Sequence, residues 1–383
     1  MRVLFTSTRG AGHVQPLLPY ARALVERGHD VLVAAPAEVG ETLRQAGLPH
    51  APFAHPGNDV LKPIWARFRG ASEAEMMAIA ASEIFAGANA RAALPMLQET
   101  MRSFRPEVVV RDSVEFAALV ASAALGVRCT RVAVHSVSFE ESLPPLVEGP
   151  IAALRESVGL ASDAGASLRD EAVFSSFPAS LDVLPSGTRM RSPFRARVVE
   201  EPPSSAPGAW AEAADPRPLI YITFGSLLGG LPEYRATYRN SLDAVAELPV
   251  RALLTTGRDI EPGALGTVPA NVHVEQWIPQ RNVLPRAAAL VCHGGSGTLL
   301  GGLAAGLPLV VIGMGADQPH NGRLIAKAGA GLALTKPDVS ELRAAIQSVL
   351  GSPEHRLQAQ RLAREIAEMP TIEEAVVRLL TPG

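Results

Sequence analysis

Short apolar runs alternating with longer amphipathic segments set the rhythm of this chain. Val3–Ser7, Val31–Ala35, Leu48–Phe53, Glu107–Val110 and Arg128–Val134 read as strands of the buried, parallel kind. Between them the apolar spacing turns helical: from Gln15 to Gly28 (Leu17, Leu18, Ala21, Leu24, Val25), over Glu38–Gln45, over Ser72–Phe104 in two pieces, and over Phe116–Leu125. Residues 54–70 carry Trp65 and Phe68 without a clean period, 136–179 are weakly patterned, and Leu181–Leu184 predicts a last short strand.

The rhythm breaks at Glu200-Glu201-Pro202-Pro203-Ser204-Ser205-Ala206-Pro207, a linker composition, and restarts with the apolar run Leu219–Phe224. Strands at Arg251–Thr255, Val272–Glu275 and Leu309–Ile312 then alternate with helices at Glu233–Leu248, Gln318–Lys327 and Ser340–Leu350. The expected organisation is a first domain over 1–198, a linker over 199–217 and a second domain over 218–368. A final segment, 369–383, holds the helix Ile372–Leu380, expected to pack back on the first domain. Two βα-alternating halves predict an α/β chain with two Rossmann-like, doubly wound parallel-sheet domains facing a cleft.

Composition narrows the classes. At 383 residues the chain exceeds the size at which one core stops growing. A net charge of -3 with 19% charged residues gives no reason to expect nucleic acid or an acidic membrane as partner. Two cysteines, Cys129 and Cys292, cannot build a disulfide framework, and both sit in strand-like runs as expected buried thiols. There is no run of about twenty apolar residues, and the N-terminus reads as a core strand rather than a signal peptide, so a cytoplasmic location is expected.

The strongest chemical signal lies in Leu290–Pro308. An apolar run stops at His293, glycines 294, 295 and 297 surround Ser296, and an Ala/Leu-rich helix precedes the next strand. Backbone N–H groups at such a helix start face an anion, with His293, Ser296 and Thr298 beside them, and a phosphate or diphosphate is the expected ligand. The alternative is a turn that exists only to pack helix on sheet. In the first half, His13 follows the first strand at the edge where α/β sheets place ligands, and Asp112 ends another strand. Asp112 could fix the imidazole tautomer, or instead pair with Arg111.

Taken in order, Gly10-Ala11-Gly12-His13, Phe224-Gly225-Ser226, Trp277-Ile278-Pro279-Gln280, His293–Thr298 and Asp317-Gln318 resemble family-1 glycosyltransferases of the GT-B fold, of the bacterial natural-product type. The resemblance covers nearly the whole chain. It implies an acceptor-binding first domain and a nucleotide-sugar-binding second domain. His13 would be the general base and Asp112 its orienting partner. Trp277, Ile278 and Gln280 would hold the base; Gly225, Ser226, His293, Gly295, Ser296, Gly297 and Thr298 the diphosphate; Asp317 and Gln318 the sugar. Asp317 could equally be a helix N-cap. Trp65, Phe68, Met77, Phe85, His135 and Phe139 are expected to line the acceptor site.

Many UDP-sugar members carry a glutamate eight residues after the motif histidine, where this chain has Gly301. A bidentate carboxylate would be half unpaired against a deoxyribose, so a dTDP-sugar is favoured over a UDP-sugar, although the glycine could merely allow close packing. No Asp-x-Asp stretch occurs; neither metal nor cofactor is expected. The implied reaction is an inverting transfer from a nucleotide-sugar to a hydrophobic aglycone, by a monomer or homodimer, without nucleic acid or membrane as partner. A UDP-dependent transferase and a non-transferring relative such as a nucleotide-sugar epimerase remain alternatives.

Overall fold

The computed structural model describes residues 1–188, 190–198, 215–225, 235–257 and 260–381. Its contacts divide the chain into two compact units. One comprises Met1–Ser176, Val183–Val198 and the chain from Pro370; the other comprises Phe177–Asp182 and Val199–Met369. Expected linker residues 199–214 lie outside the described residues.

In the first unit, strands β1 (Arg2–Thr6), β2 (Asp30–Pro36), β3 (His50–Phe53), β4 (Val108–Asp112), β5 (Arg128–Val132), β6 (Ala172–Ser175) and β7 (Phe194–Arg195) form one parallel sheet in the order β3-β2-β1-β4-β5-β6-β7. Alternation along each strand feeds two cores. Val3, Phe5, Val108 and Val110 face one side with helix Leu18–Glu26 and the C-terminal helix Ile372–Leu380. Leu4 and Val109 face the other, with helices Ala90–Phe104, Phe116–Leu125 and Pro144–Glu156. Both faces are therefore apolar, as parallel strands require. The C-terminal helix starts with a capping box, Thr371 with Glu374, and Arg128 donates to the carbonyls of Leu380 and Thr381.

In the second unit, β8 (Leu219–Thr223), β9 (Arg251–Thr255), β10 (Val272–Glu275), β11 (Ala289–Cys292), β12 (Leu309–Ile312) and β13 (Gly331–Leu334) form a parallel sheet ordered β10-β9-β8-β11-β12-β13. Ile220, Ile222 and Phe224 pack towards helices Arg235–Ala246 and Val339–Gly351. Tyr221, Leu290 and Cys292 pack towards Ser296–Ala304 and Pro353–Glu368, joined by Phe177 and Leu181.

Several elements differ from the sequence reading. Leu181–Leu184 is not a strand: Leu181 and Asp182 form a turn whose N–H groups bond the Pro178 carbonyl, and the sheet continues through β6 and β7 instead. Residues 54–70 contain the helix Asn58–Ala66 despite Pro63. The long helical stretch is interrupted by a π-helical segment, Ala80–Asn89. Strand β13 and helix Pro353–Glu368 are elements beyond those expected from the sequence. No helix among the described residues is long and apolar enough to cross a membrane.

Candidate active site

Strand order reverses between β1 and β4 in one sheet and between β8 and β11 in the other. At such a switch point the loops leaving adjacent strands diverge to opposite faces and open a crevice at the carboxyl ends. His13 follows β1 and Asp112 ends β4; Gly225 follows β8 and His293 follows β11. Each unit thus puts its candidate residues at its own switch point.

In the first unit, Gly10 adopts φ 121 and starts a short helix, Ala11–Val14, that carries His13. His13 Nδ1 stands 3.7 Å from Asp112 Oδ2, with the carboxylate fully buried and the imidazole partly exposed. The carboxylate cannot turn away. Oδ2 takes the Thr8 N–H at 2.7 Å, and Oδ1 takes the N–H groups of Val114 and Glu115 at 2.7 and 2.9 Å. Arg111, the preceding residue, points to the other face of the strand. Its guanidinium bonds Glu171 and donates to the carbonyls of Asp112 and Ser113. The Arg111 pairing considered for the Asp112 carboxylate is therefore not formed.

Around His13 the rings of Phe85 and His135 lie at 5.6 and 6.2 Å between centroids, and Phe139 lies 5.3 Å from His135. Phe85 comes from the π-helical segment, a kind of interruption that marks functional sites. Met77 reaches this group through Ser142, whose hydroxyl is 3.6 Å from the Met77 sulfur and bonds the Phe139 carbonyl. Trp65 and Phe68 meet edge to face at 4.8 Å between centroids, and Phe68 belongs to a separate apolar cluster with Leu61, Ile84 and Ala88. Two residues that the sequence reading passed over complete the frame. Thr8 fixes Asp112, and buried Glu140 lies behind His135. Neither carries a motif signal.

In the second unit, the His293 ring is wedged between two glycines. A Cβ at Gly295 would lie 2.3 Å from Nε2, and one at Gly225, where φ is 78, would lie 3.0 Å from the same atom. Burial pushes the imidazole down to about 4, against the pull of Asp317 and the Thr223 carbonyl. At neutral pH His293 is therefore a neutral N–H donor, because removing a lone cation from water costs more than the nearby carboxylate returns.

The Ser296 hydroxyl is also already engaged, donating to Asp317 Oδ2 at 3.0 Å. Asn321 donates to the same oxygen at 2.8 Å and to the Gly294 carbonyl at 2.9 Å, stitching the glycine turn to helix Gln318–Lys327. Asp317 precedes that helix but makes no side-chain cap bond. Gln318 Oε1 accepts the Met314 N–H at 3.0 Å, leaving its amide N–H groups as donors. Helix Ser296–Ala304 begins at Gly295 without a side-chain cap, which keeps its first N–H groups, including those of Gly297 and Thr298, for an anion. Gln280 donates to the Thr298 hydroxyl at 3.0 Å, Ile278 packs on the core, and Trp277 is 62% exposed. Ser226 lies outside the described residues.

Comparison with known proteins places this arrangement. Residues 239–381 match the family model of the erythromycin biosynthesis protein CIII-like C-terminal domain. An L-demethylnoviosyl transferase of Streptomyces niveus is 30% identical over 380 residues, spanning 97% of this chain and 95% of that protein. The chain belongs to the natural-product glycosyltransferases of the GT-B fold. The transferase is also similar to the solved glycosyltransferase SnogD from Streptomyces nogalater, with a TM-score of 0.80, 27% identity and coverage of 99% and 98% of the two chains. The glycosyltransferase VinC, solved in complex with dTDP, shares its fold at TM-score 0.79 and 22% identity over 99% of this chain and 98% of VinC.

Proposed function

We propose that this glycosyltransferase moves a sugar, with inversion, from a dTDP-linked donor to a hydroxyl of a hydrophobic aglycone, with His13 as general base. The observation carrying this reading is the partly exposed His13 imidazole set 3.7 Å from a buried carboxylate that three backbone N–H groups hold still. Asp112 selects the tautomer with Nδ1 protonated and stabilises the imidazolium that forms; Nε2 then takes the acceptor proton. The acceptor oxygen attacks the anomeric carbon as the bond to the diphosphate breaks, and one displacement through an oxocarbenium-like state inverts the centre.

Charge building on the leaving diphosphate is met by the N–H groups opening helix Ser296–Ala304 and by neutral His293. Asp317 and Gln318 hold the sugar, and Trp277, Ile278 and Gln280 the base. Phe85, Phe139, Met77 and His135 face the aglycone. No metal and no cofactor take part. dTDP is favoured because helix Ser296–Ala304 offers no carboxylate at Gly301 for a second ribose hydroxyl; the VinC complex with dTDP supports the same choice.

The test incubates the protein with dTDP- and UDP-sugars and a panel of polyphenolic and polyketide acceptors, and reads the anomeric configuration of the product by proton NMR. A product that retains the donor's configuration overturns the single-displacement mechanism; an epimerised donor with no transfer overturns the assignment of an acceptor.

A further inference from the structure

A second histidine–carboxylate pair stands beside the first. His135 follows β5, and its Nδ1 lies 3.6 Å from Glu140 Oε1, nearly the separation of His13 from Asp112. Glu140 is held chiefly through one oxygen and one ion pair. Its Oε1 takes the Ser113 hydroxyl and lies 3.3 Å from the His135 N–H, while Oε2 lies 3.5 Å from the Arg131 Nε. Burial opposes ionisation of Glu140, yet Arg131, His135 and Ser113 together hold it below the usual carboxylate range. Both imidazoles are partly exposed, at 19% and 15%, whereas both carboxylates are fully buried. The two rings meet edge to face at 6.2 Å, between Phe85 and Phe139.

A histidine serving only to pad an apolar acceptor surface has no need of a buried, ionised partner, which is costly to bury. The cost is explained if the ring must hold one tautomer and accept a proton. We propose that His135, oriented by Glu140, is a second general base, serving a second hydroxyl on acceptors that carry two neighbouring ones. The proton of that hydroxyl passes to His135 Nε2, its oxygen forms the bond to the anomeric carbon, and the diphosphate leaves with the electron pair of the broken bond. Which of the two histidines faces the reacting hydroxyl then decides the regioisomer formed. This rests on the reading of His13 as base for the first position.

The test uses dTDP-glucose with an aromatic acceptor bearing two neighbouring phenolic hydroxyls, and reads the ratio of the two monoglucosides by chromatography. His135→Ala is expected to shift that ratio by about tenfold or more towards one isomer, and His13→Ala to shift it the other way, on the scale of lost general-base catalysis. An unchanged ratio in His135→Ala, whatever happens to the total rate, overturns the proposal. His135→Asn keeps a polar side chain that cannot take the proton, so restoration of the wild-type ratio by Asn also overturns it. Full turnover by His13→Ala would instead remove the His13 assignment, leaving the His135→Ala ratio to be read on its own.

Discussion

Asp112 Oδ2 faces His13 Nδ1 at 3.7 Å while the same oxygen accepts the Thr8 N–H at 2.7 Å. The first contact is chemical and the second mechanical: the loop after β1 holds the carboxylate that orients the histidine borne on that same loop. His13→Ala is expected to lower kcat by about 10²–10⁴ with little change in stability. Asp112→Asn should lower kcat and also Tm, since an amide NH2 would face N–H donors at one of the two oxygen positions. Steady-state kinetics and thermal melts on both variants check this; full turnover in either rejects its role.

Gly295 isolates a steric effect, because its φ of -60 suits any residue. Gly295→Ala places a methyl 2.3 Å from His293 Nε2, so the ring must leave its slot. Calorimetry should show nucleotide affinity down by about tenfold or more, the scale of one lost charge-assisted hydrogen bond, in a protein that still folds. Unchanged affinity would mean that His293 does not face the diphosphate.

Gly301 lies against the segment proposed to hold the base: a Cβ there would be 3.1 Å from Leu284 Cδ1 and 3.8 Å from Gln280 Oε1. Gly301→Glu needs Leu284 to give by a few tenths of an ångström and adds a carboxylate near that segment. The ratio of UDP to dTDP affinity is expected to rise, at a modest loss of stability. Wild-type protein binding UDP as tightly as dTDP would remove the argument from this glycine.

Two buried groups give the units opposite pH responses. Burial and the Asp112 charge push Glu115 from 4.5 up to about 7. Its contribution is therefore fully present below pH 4.5 and lost as pH rises to 7, and Glu115→Gln should flatten that decline. His293 moves from 6.5 down to about 4, so the unfolded chain binds its proton first and stability falls as pH drops through that window. His293→Asn should remove that acid-side loss, worth up to about 3 kcal/mol. Denaturant titrations across both windows read each slope.

Val376 is fully buried in the first unit's core although it lies near the chain's far end. Val376→Asp should unfold that unit selectively, leaving an uncompensated charge in apolar surroundings. Two separate thermal transitions, with only one shifted, are the expected calorimetric result.

Much of this was legible because buried parallel strands announce themselves: Val3–Ser7 and Leu290–Cys292 are short, largely apolar and followed within a few residues by glycine. The strand ends bearing His13 and His293 were legible too, since a strand end followed by a glycine turn is a local signal, but the strand orders that make them switch points were not. Partnerships across sequence were not legible. That Arg111 turns to Glu171, 60 residues away, and that Glu140 stands behind His135 depend on which strands become neighbours. The π-helical turn that aims Phe85 was hidden by an ordinary helical pattern, and β13, with Gly331 at its start, was too short to show a period.

The first sheet's cover at Ile372–Leu380 has a consequence for how the polypeptide is made. The part of that sheet face which helix Leu18–Glu26 leaves uncovered stays open until this last helix is made, so the second unit can finish folding before the first is closed. The nascent protein thus exposes a sticky surface for most of its synthesis, and chaperone demand should track that delay.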